Sequence, residues 1–260
     1  MNIGKFGIEL ECFNVPQITV AQALVNAGIN AITSGYSGNN YNVWQIKTDG
    51  SINGQYGFEV VSPILQGEAG VAEARKVCEV LVALGAQVNK SCGFHIHHNA
   101  ADWGIAKFRN LFKRFVKFEA ALDSIQPESR RANNNRYCAS VVKTFQQIDA
   151  CTTVRALSDL YSHSRYVKLN LQSFFRMGTV EFRHHSGTVE ADKVEQYIRL
   201  TAAMVEDAAE VTAIKPLKDG TSTTDALSLM LAGMVRRGRI GKNTAKFYQK
   251  RAARLMKEVA

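Results

Sequence analysis

The sequence has no apolar run near the roughly 20 residues that a membrane-spanning helix needs. Its N-terminal stretch, MNIGKFGIELECF, lacks the long apolar segment of a signal peptide and includes two glutamates. The five cysteines are scattered and form no CxxC pair, which argues against a disulfide framework and against a structural zinc site. We therefore expect a cytoplasmic protein with no membrane partner, and the sequence leaves its oligomeric state open.

The Walker-type phosphate motif GxxxxGK[ST] is also missing. The stretch GRIGKNTAK contains a Gly-Lys pair, but it has neither the upstream glycine nor the following Ser or Thr. This excludes a P-loop, so that a nucleotide would have to bind through metal ions and the face of a sheet.

Acidic residues are almost absent from the C-terminal tail. Residues 236–260 contain nine Lys and Arg and one acid, Glu258, whereas residues 1–235 have a net charge of only +1. The apolar residues of NTAKFYQKRAARLMKEV recur at helical spacing, which predicts an amphipathic helix with a basic face. Such a face is typical of a docked helix with a solvated surface. The second interpretation is a contact between residues 236–260 and nucleic acid or another acidic partner.

Hydrophobic periodicity predicts an α+β fold with a largely antiparallel sheet, because strands follow one another closely without regular βαβ alternation. The predicted strands are KFGIELECF, VWQIK, YGFEVVS, GFHIHH, YVKLNLQSF and GTVEFRHH. The predicted helices cover residues 19–28, 67–85, 102–125, 153–162, 190–214, 224–237 and 243–259. The segment PESRRANNNRYCAS is predicted to be a loop. A linker-like stretch, 215–225, separates a domain over residues 1–213 from a helical basic extension over residues 214–260.

Polar residues recur at a spacing of two in several predicted strands, and such pairs project from the same face of a strand. The pattern comprises Glu9 with Glu11, His95 with His97, Glu181 with Arg183, and Glu59 as a single residue. If these strands share a sheet, one face presents carboxylates and imidazoles. That set of ligands suits Mg²⁺ or Mn²⁺, and a nearby Arg suits a phosphate or a carboxylate.

Each of these motifs also has a purely structural interpretation. A Glu-x-Glu pair is typical of a strand face that meets water, and a His-x-His pair can be a polar strand end. Asp49 precedes a glycine, as turn residues often do, and Cys92 is typical of a small residue beside a tight turn at Gly93. The coincidence of several motifs favours a functional site, since unrelated solvated faces would contain Lys, Thr and Ser as readily.

The order of the motifs resembles that of the amidoligase family, which comprises carboxylate–amine ligases related to glutamine synthetase and glutamate–cysteine ligase. The resemblance covers roughly residues 3–200 and rests on GIELECF, WQIKTDGSI, FEVVSP, SCGFHIHH, RYVKLNLQSF and GTVEFRHHSGT. It implies a curved, largely antiparallel sheet with helices on its convex face. It also implies that the concave face holds ATP and divalent cations, Mg²⁺ or Mn²⁺.

The resemblance further implies roles for individual residues. The implied metal ligands are Glu9, Glu11, Glu59, His95 and Glu181. The implied nucleotide or phosphate contacts are His97 and Arg165, and His185 is predicted to line the same site because it shares the strand face of Arg183. The implied catalytic or substrate-binding residues are Arg183, Glu59, Lys47 and Asp49.

Together these features predict an ATP- and Mg²⁺-dependent, amide-bond-forming ligase that acts through an acyl phosphate on small-molecule or peptide carboxylates and amines. Three alternatives stay open. One is a metal-dependent hydrolase that uses the same carboxylates and histidines. Another is a binding module with a degenerate site. The third is a ligase whose substrate is a protein or is linked to nucleic acid, and is recruited by the basic tail.

Overall fold

The computed structural model describes residues 3–35, 40–211 and 213–258. The chain divides into two compact units. The N-terminal unit comprises Ile3–His97 and His185–Ile198, and the C-terminal unit comprises His98–His184 together with the described residues from Arg199 onwards. Two strands, β6 (Gly93–Asn99) and β8 (Thr179–Ser186), and one helix, α7 (Ala191–Glu210), each contribute residues to both units.

The N-terminal unit is built around a sheet with the strand order β2-β3-β4-β1-β6-β8, in which the short strand β5 also pairs with β1. Its elements are β1 (Lys5–Cys12), α1 (Gln17–Asn26), β2 (Ala31–Ser34), β3 (Trp44–Thr48), β4 (Phe58–Val61), β5 (Leu65–Gln66), α2 (Gly67–Ala83), the start of β6 (Gly93–Asn99), the end of β8 (Thr179–Ser186) and the start of α7 (Ala191–Glu210). The pair β2–β3 is parallel, and β3–β4, β1–β4 and β1–β5 are antiparallel.

Alternation along β1 places the core of this unit on one side of the sheet. Phe6, Ile8 and Leu10 are at most 2% exposed, whereas the intervening Glu9 is half-buried. Period-two alternation sends successive side chains to opposite faces, so the apolar set packs inward and the glutamates project from the other face. This geometry positions the candidate site.

The C-terminal unit is mainly helical and contains the remaining parts of β6, β8 and α7. Its other elements are α3 (Ile105–Ser124), a 3-10 turn (Glu128–Arg130), α4 (Phe145–Asp149), α5 (Val154–Asp159), β7 (Leu169–Asn170), α6 (Gln172–Met177), α8 (Thr223–Arg236) and α9 (Lys242–Lys257). Strand β7 pairs antiparallel with β8. The two tail helices, α8 and α9, pack against each other and against α3. The tail is therefore part of this unit, and the predicted boundary at residue 213 stays a prediction.

The predicted α+β class and the mostly antiparallel sheet are confirmed. The prediction of one strand over YVKLNLQSF is wrong in its second half, where α6 begins. Asn170 Oδ1 accepts a hydrogen bond from the Gln172 N–H at 2.7 Å, which turns the chain, and Gly178 ends the helix with a φ of 67°. The predicted helices 190–214 and 243–259 include residues 212 and 259, which lie outside the described residues.

No helix within the described residues combines the length and the apolar character that crossing a bilayer would require.

Candidate functional site

The first part of the candidate site is a row of charged side chains across three neighbouring strands of the N-terminal unit. In the antiparallel register, Glu59 on β4 lies directly opposite both Glu11 on β1 and Lys47 on β3. Directly opposed residues share a face of the sheet, with Cβ atoms about 4.5–5.5 Å apart. Glu9, two residues before Glu11, belongs to the same face. The sequence pattern of alternating residues therefore produces one polar patch.

His95, the predicted metal ligand, and His97, the predicted nucleotide contact, both lie against Glu9. His95 Nδ1 is 3.1 Å from Glu9 Oε2, and His97 Nε2 is 3.3 Å from Glu9 Oε1. The side chain of His95 is 4% exposed and that of His97 is 11% exposed, so the imidazoles are fixed within the protein. One carboxylate thus holds two imidazoles, and Phe94 and Ile96, which alternate with the two histidines along β6, are fully buried.

Glu11 is anchored from the other side of the patch. Its Oε2 atom accepts a hydrogen bond of 2.5 Å from the backbone N–H of Gly93, and its Oε1 atom lies 3.7 Å from His95 Nε2. The residue is 8% exposed. A buried carboxylate held by a backbone donor has a defined orientation, which is what a metal ligand requires.

Two sets of oxygen and nitrogen atoms in this unit are close enough to share a cation. Glu9, Glu59 and His95 form one set, and Glu11, Asp49 and Glu59 form the other, with the ligand atoms of each set within 4.8 Å of one another. Glu59 belongs to both. Carboxylates with one imidazole suit Mg²⁺ or Mn²⁺ better than they suit the thiolate-preferring metals. The donor set therefore fits the predicted divalent cations.

The electrostatics of the patch also favour a bound cation. Burial raises the pKa of Glu59 well above its usual value, and the charges of Glu9, Glu11 and Asp49 raise it further, against the opposing effect of Lys47. Like charges in one site disfavour ionisation of the last carboxyl group. A divalent cation would remove that penalty, because its charge offsets several carboxylates at once.

The pKa of Glu9 moves in the opposite direction. Burial acts to raise it, but the charge of His97 and the hydrogen bonds from His95 and His97 outweigh burial and lower the pKa well below its usual value. Glu9 is therefore held as a carboxylate.

The two predicted residues at the end of β3 have different environments. Lys47 is 8% exposed within the row of carboxylates. Asp49 lies in the following turn, where its Oδ1 atom accepts hydrogen bonds from the N–H and the Oγ of Ser51 at 2.8 and 2.7 Å. Asp49 therefore has the turn role that its Asp-Gly sequence predicts, while its carboxylate also belongs to the second metal-ligating set.

In the C-terminal unit, Glu181 and Arg183 form a fixed pair on β8. Arg183 Nη1 is 2.5 Å from Glu181 Oε1, and Asn170 Nδ2 donates a hydrogen bond of 2.5 Å to Glu181 Oε2. Glu181 is 4% exposed, and the side chain of Arg183 is 15% exposed. The spacing of two predicted that these two side chains share a face of the strand. Asn170 was not predicted, although it lies directly opposite Glu181 in the β7–β8 register.

Arg165 and His185 have positions that differ from those of the residues above. Arg165 is exposed in the C-terminal unit, where its guanidinium lies 4.9 Å from the Tyr166 ring centre and donates to the Tyr166 hydroxyl at 2.8 Å. His185 is 1% exposed in the N-terminal unit and packs against the rings of Phe94 and Tyr197. The role of His185 at the site stays a prediction.

A buried charged cluster in the C-terminal unit was missed. Lys168 is 0% exposed, and its Nζ donates to Glu119 Oε1 at 2.8 Å and to the two Asp123 oxygens at 2.7 and 2.9 Å. His184 Nε2 lies 2.7 Å from Asp123 Oδ1. The backbone N–H of Arg183 donates to the carbonyl of Lys168, so the cluster adjoins the strand segment of Arg183. The available signal was the spacing of four between Glu119 and Asp123, which are the only two acids of α3.

The chain resembles known proteins in sequence family and in fold. Residues 2–205 match a protein family described as "Putative amidoligase enzyme". No curated protein matches the sequence. Two solved structures with similar folds are a bifunctional glutathione synthetase from Pasteurella multocida, at 16% identity and a TM-score of 0.48, and a novel glutamine synthase homolog, at 13% identity and a TM-score of 0.51.

In both comparisons 98% of the present chain is covered, but the chain spans 49% of the glutathione synthetase and 67% of the glutamine synthase homolog. At these identities the likeness concerns the fold alone, and the lower of the two TM-scores supports no further conclusion.

Proposed function

Because the chain belongs to the amidoligase family, we propose that it is an ATP- and Mg²⁺-dependent ligase that joins a carboxylic acid to an amine through an acyl phosphate. Mn²⁺ would serve in place of Mg²⁺, since both cations take carboxylate and water oxygens as ligands. The acid and the amine are groups of small molecules or peptides.

The proposed reaction has two steps. A carboxylate oxygen of the acid attacks the γ-phosphorus of ATP, the bond to the β–γ bridging oxygen breaks, and ADP leaves. The amine nitrogen then attacks the acyl carbon, the bond between that carbon and the phosphate oxygen breaks, and inorganic phosphate leaves. One proton passes from the nitrogen to solvent. The products are one amide, one ADP and one phosphate.

The observation that carries the proposal is the concentration of carboxylates around Glu59, whose pKa is raised by burial and by three neighbouring acids. In a site of this kind, bound divalent cations would neutralise the charge that develops on the phosphates during transfer. The residues proposed to hold them are Glu9, Glu11, Glu59 and His95, with Asp49 as a further oxygen ligand. Glu181 is proposed as an additional ligand.

The side chains around the ligands have supporting roles in this proposal. Glu9 orients the imidazoles of His95 and His97, because each of its oxygens faces one ring. Arg183 would contact the transferred phosphoryl group or the acid, for which a guanidinium provides a planar pair of donors. Lys47 would supply a second positive charge. A protein nucleophile is not needed, and Cys92 is fully buried.

The first experiment measures thermal stability with Mg²⁺ alone, with Mg²⁺–ADP and with a non-hydrolysable Mg²⁺–ATP analogue. Ligand at about 100 times its Kd stabilises a protein by ~2.7 kcal/mol, which for a chain of this size raises Tm by about 5–10 °C. We expect a nucleotide-specific increase in the wild type that is absent in Glu9→Ala and is retained in Glu79→Gln, a control at an exposed glutamate of α2.

The outcomes separate the candidate functions. An increase with metal alone and none with nucleotide would favour a metal-dependent hydrolase. No increase with either ligand would contradict an enzyme site of this kind.

The second experiment detects the acyl phosphate. Hydroxylamine can replace the amine, and its attack on an acyl phosphate gives a hydroxamate that is measured as its coloured iron(III) complex. A panel of carboxylic acids, incubated with ATP and Mg²⁺, should reveal the acid substrate. Glu181→Gln should abolish the signal while the far-UV spectrum stays unchanged. Hydroxamate formation without ADP release would overturn the proposed order of steps.

A further inference from the structure

The cations of the C-terminal tail divide into two classes that the sequence does not distinguish. Three of the nine are engaged in holding the tail to the C-terminal unit: Arg237, Arg239 and Arg251. The other six are exposed: Arg236, Lys242, Lys246, Lys250, Arg254 and Lys257. The high charge of the tail is thus not explained by packing alone.

The three structural arginines have short, specific contacts. Arg237 donates to both oxygens of Asp207, a residue that is 0% exposed, at 2.9 and 2.5 Å. Arg239 contacts the same carboxylate at 3.1 Å and also pairs with Glu206 and Glu210. These bonds fix the turn between α8 and α9.

One face of helix α9 packs against the rest of the C-terminal unit. Arg251 Nε donates to the carbonyl of Ile125 at 2.6 Å, at the C-terminal end of α3. Tyr248, Ala252 and Leu255 are buried beside it, at 1%, 6% and 6% exposure. Because this face is buried against the unit, the orientation of the helix is fixed and its remaining face is directed to solvent.

That remaining face presents a line of positive charges, which we call the cationic face of α9: Lys242, Lys246, Lys250, Arg254 and Lys257. The first four are spaced four residues apart, so they follow one another on the same side of the helix. With a rise of 1.5 Å per residue, neighbouring charges are separated by about 6 Å along the axis.

The positive charge of this face is not neutralised by the part of the protein that the structure describes. Arg254 lies 3.8 Å from Glu258, and both side chains are more than half exposed, so this ion pair is weak. Lys242, Lys246 and Lys250 have no acidic partner among the described residues. An array of exposed cations without acidic partners is typical of proteins that bind a polyanion.

We propose that the cationic face of α9 binds the phosphate backbone of double-stranded nucleic acid without reading its sequence. Its charges form a regular line, as the phosphates of a duplex do, and four of the five are lysines, which bind phosphate as point charges. Unpaired bases would need an exposed aromatic platform. The two aromatic residues of α9 do not provide one, because Phe247 is half-buried and Tyr248 is buried.

The test is the salt dependence of binding. Fluorescence anisotropy of a labelled 30-base-pair duplex with the full chain gives Kd between 50 and 200 mM KCl. Five phosphate contacts predict a slope of about −4.5 in log K against log [KCl], hence an affinity about 500-fold lower at 200 mM than at 50 mM. Lys242→Gln/Lys246→Gln/Lys250→Gln should reduce the slope to about −1.8, a change of only about 12-fold over the same range.

A charge-matched control distinguishes this face from the net charge of the protein. The variant Lys5→Gln/Lys90→Gln/Lys215→Gln removes three exposed lysines elsewhere, and it should keep the wild-type slope. All six substitutions are at exposed positions, so both variants should keep the wild-type Tm within about 2 °C.

Three results would overturn the proposal. The first is no duplex binding at 50 mM KCl, and the second is an equal loss of slope in the two triple variants. The third is binding to an acidic polypeptide such as polyglutamate with none to the duplex, which would identify an acidic protein as the partner. The hydroxamate and stability assays report on the ligase site independently, so either proposal can fail without the other.

Discussion

The carboxylates of Glu11 and Glu59 project from directly opposed positions of two antiparallel strands, β1 and β4, on the same face of the sheet. Like charges directly opposite each other destabilise a sheet. This pair, with Glu9 and Asp49 beside it, should therefore lower the free energy of unfolding of the metal-free protein. Such a loss of stability is common at binding sites.

Replacement of Glu59 by Gln should therefore stabilise the metal-free protein. The substitution removes the repulsion from Glu9, Glu11 and Asp49 while preserving the shape of the side chain. We expect a gain of about 0.5–2 kcal/mol in the free energy of unfolding in EDTA. Addition of Mg²⁺ should then stabilise the wild type but not Glu59→Gln, since this residue belongs to both metal-ligating sets. Urea unfolding with and without Mg²⁺ measures both effects.

The control for this prediction is Glu79→Gln, at an exposed position of α2. Its free energy of unfolding should stay within about 0.5 kcal/mol of the wild type. A loss of stability in metal-free Glu59→Gln would mean that the Glu59 carboxylate supports the fold, which contradicts a site of accumulated negative charge.

Gly187 is predicted to be required for the pairing of β6 with β8 in the N-terminal unit. Its N–H donates to the carbonyl of Cys92 at 2.8 Å, and a Cβ atom at this position would lie 2.4 Å from the Cβ of Cys92. Gly187→Ala should cost about 1–3 kcal/mol, as overpacking of a fixed site does. Gly4→Ala, where nothing lies within 4 Å of the added atom, is the matched control.

A double-mutant cycle makes this prediction specific. If the clash is with the Cys92 side chain, Gly187→Ala combined with Cys92→Gly should be more stable than the sum of the two single changes indicates. Simple additivity would show that another contact limits the position. A favourable coupling would also show that the two motifs, SCGFHIHH and FRHHSGT, pack against each other through Cys92 and Gly187.

The shared polar face of β1 and β6 was predictable because strand periodicity alone decides which side chains share a face. Glu9, Glu11, His95 and His97 needed only a spacing of two. The core position of His185 was not predictable in this way, since its ring is enclosed by Phe94 and Tyr197 from other elements.

The fold shows the same division between local and long-range determinants. The N-terminal strands and the long helices α2 and α3 follow their periodicity. The start of α6 depends on a hydrogen bond from the Gln172 N–H to the Asn170 side chain, which overrides the apolar alternation of LNLQSF. The burial of Lys168 depends on carboxylates that are 45 and 49 residues away in the sequence, so a single strand pattern does not reveal it.

The buried cluster around Asp123 predicts sensitivity to acid. Burial acts to raise the pKa of Asp123, but His184, Lys168 and the N–H of Ala132 outweigh burial and lower it. A lowered pKa means that the carboxylate contributes stability above its unfolded-state pKa of about 4, and that this contribution is lost as the pH falls through the folded-state value. Burial also lowers the pKa of His184, so protonation of this ring opposes folding below pH about 6.5. Both effects destabilise the protein at low pH.

The measurement is urea unfolding of the wild type and Asp123→Asn between about pH 2.5 and pH 8, a range that includes the lowered pKa of Asp123. At pH 7 the substitution leaves Lys168 with one carboxylate partner and should cost about 3 kcal/mol. The difference between the two proteins should shrink as the pH falls below about 4, through the lowered pKa of Asp123. Asp149→Asn, in an ion pair with Lys113 where the Asp149 side chain is 51% exposed, should cost less than about 1 kcal/mol. A pH-independent cost at Asp123 would contradict an ionised carboxylate there.

Arg251 is predicted to hold α9 in place even though it belongs to the same basic segment as the exposed lysines. Arg251→Ala removes a charged hydrogen bond to the carbonyl of Ile125, and we expect a loss of about 1.5–3 kcal/mol. Lys250→Ala, at the adjacent exposed position, should change stability by less than about 0.5 kcal/mol. Hydrogen exchange should show faster exchange in α9 for Arg251→Ala only, because the helix would separate from the end of α3 before the rest of the unit unfolds. If the two variants exchange and unfold alike, α9 is held by Tyr248, Ala252 and Leu255 without a contribution from the arginine.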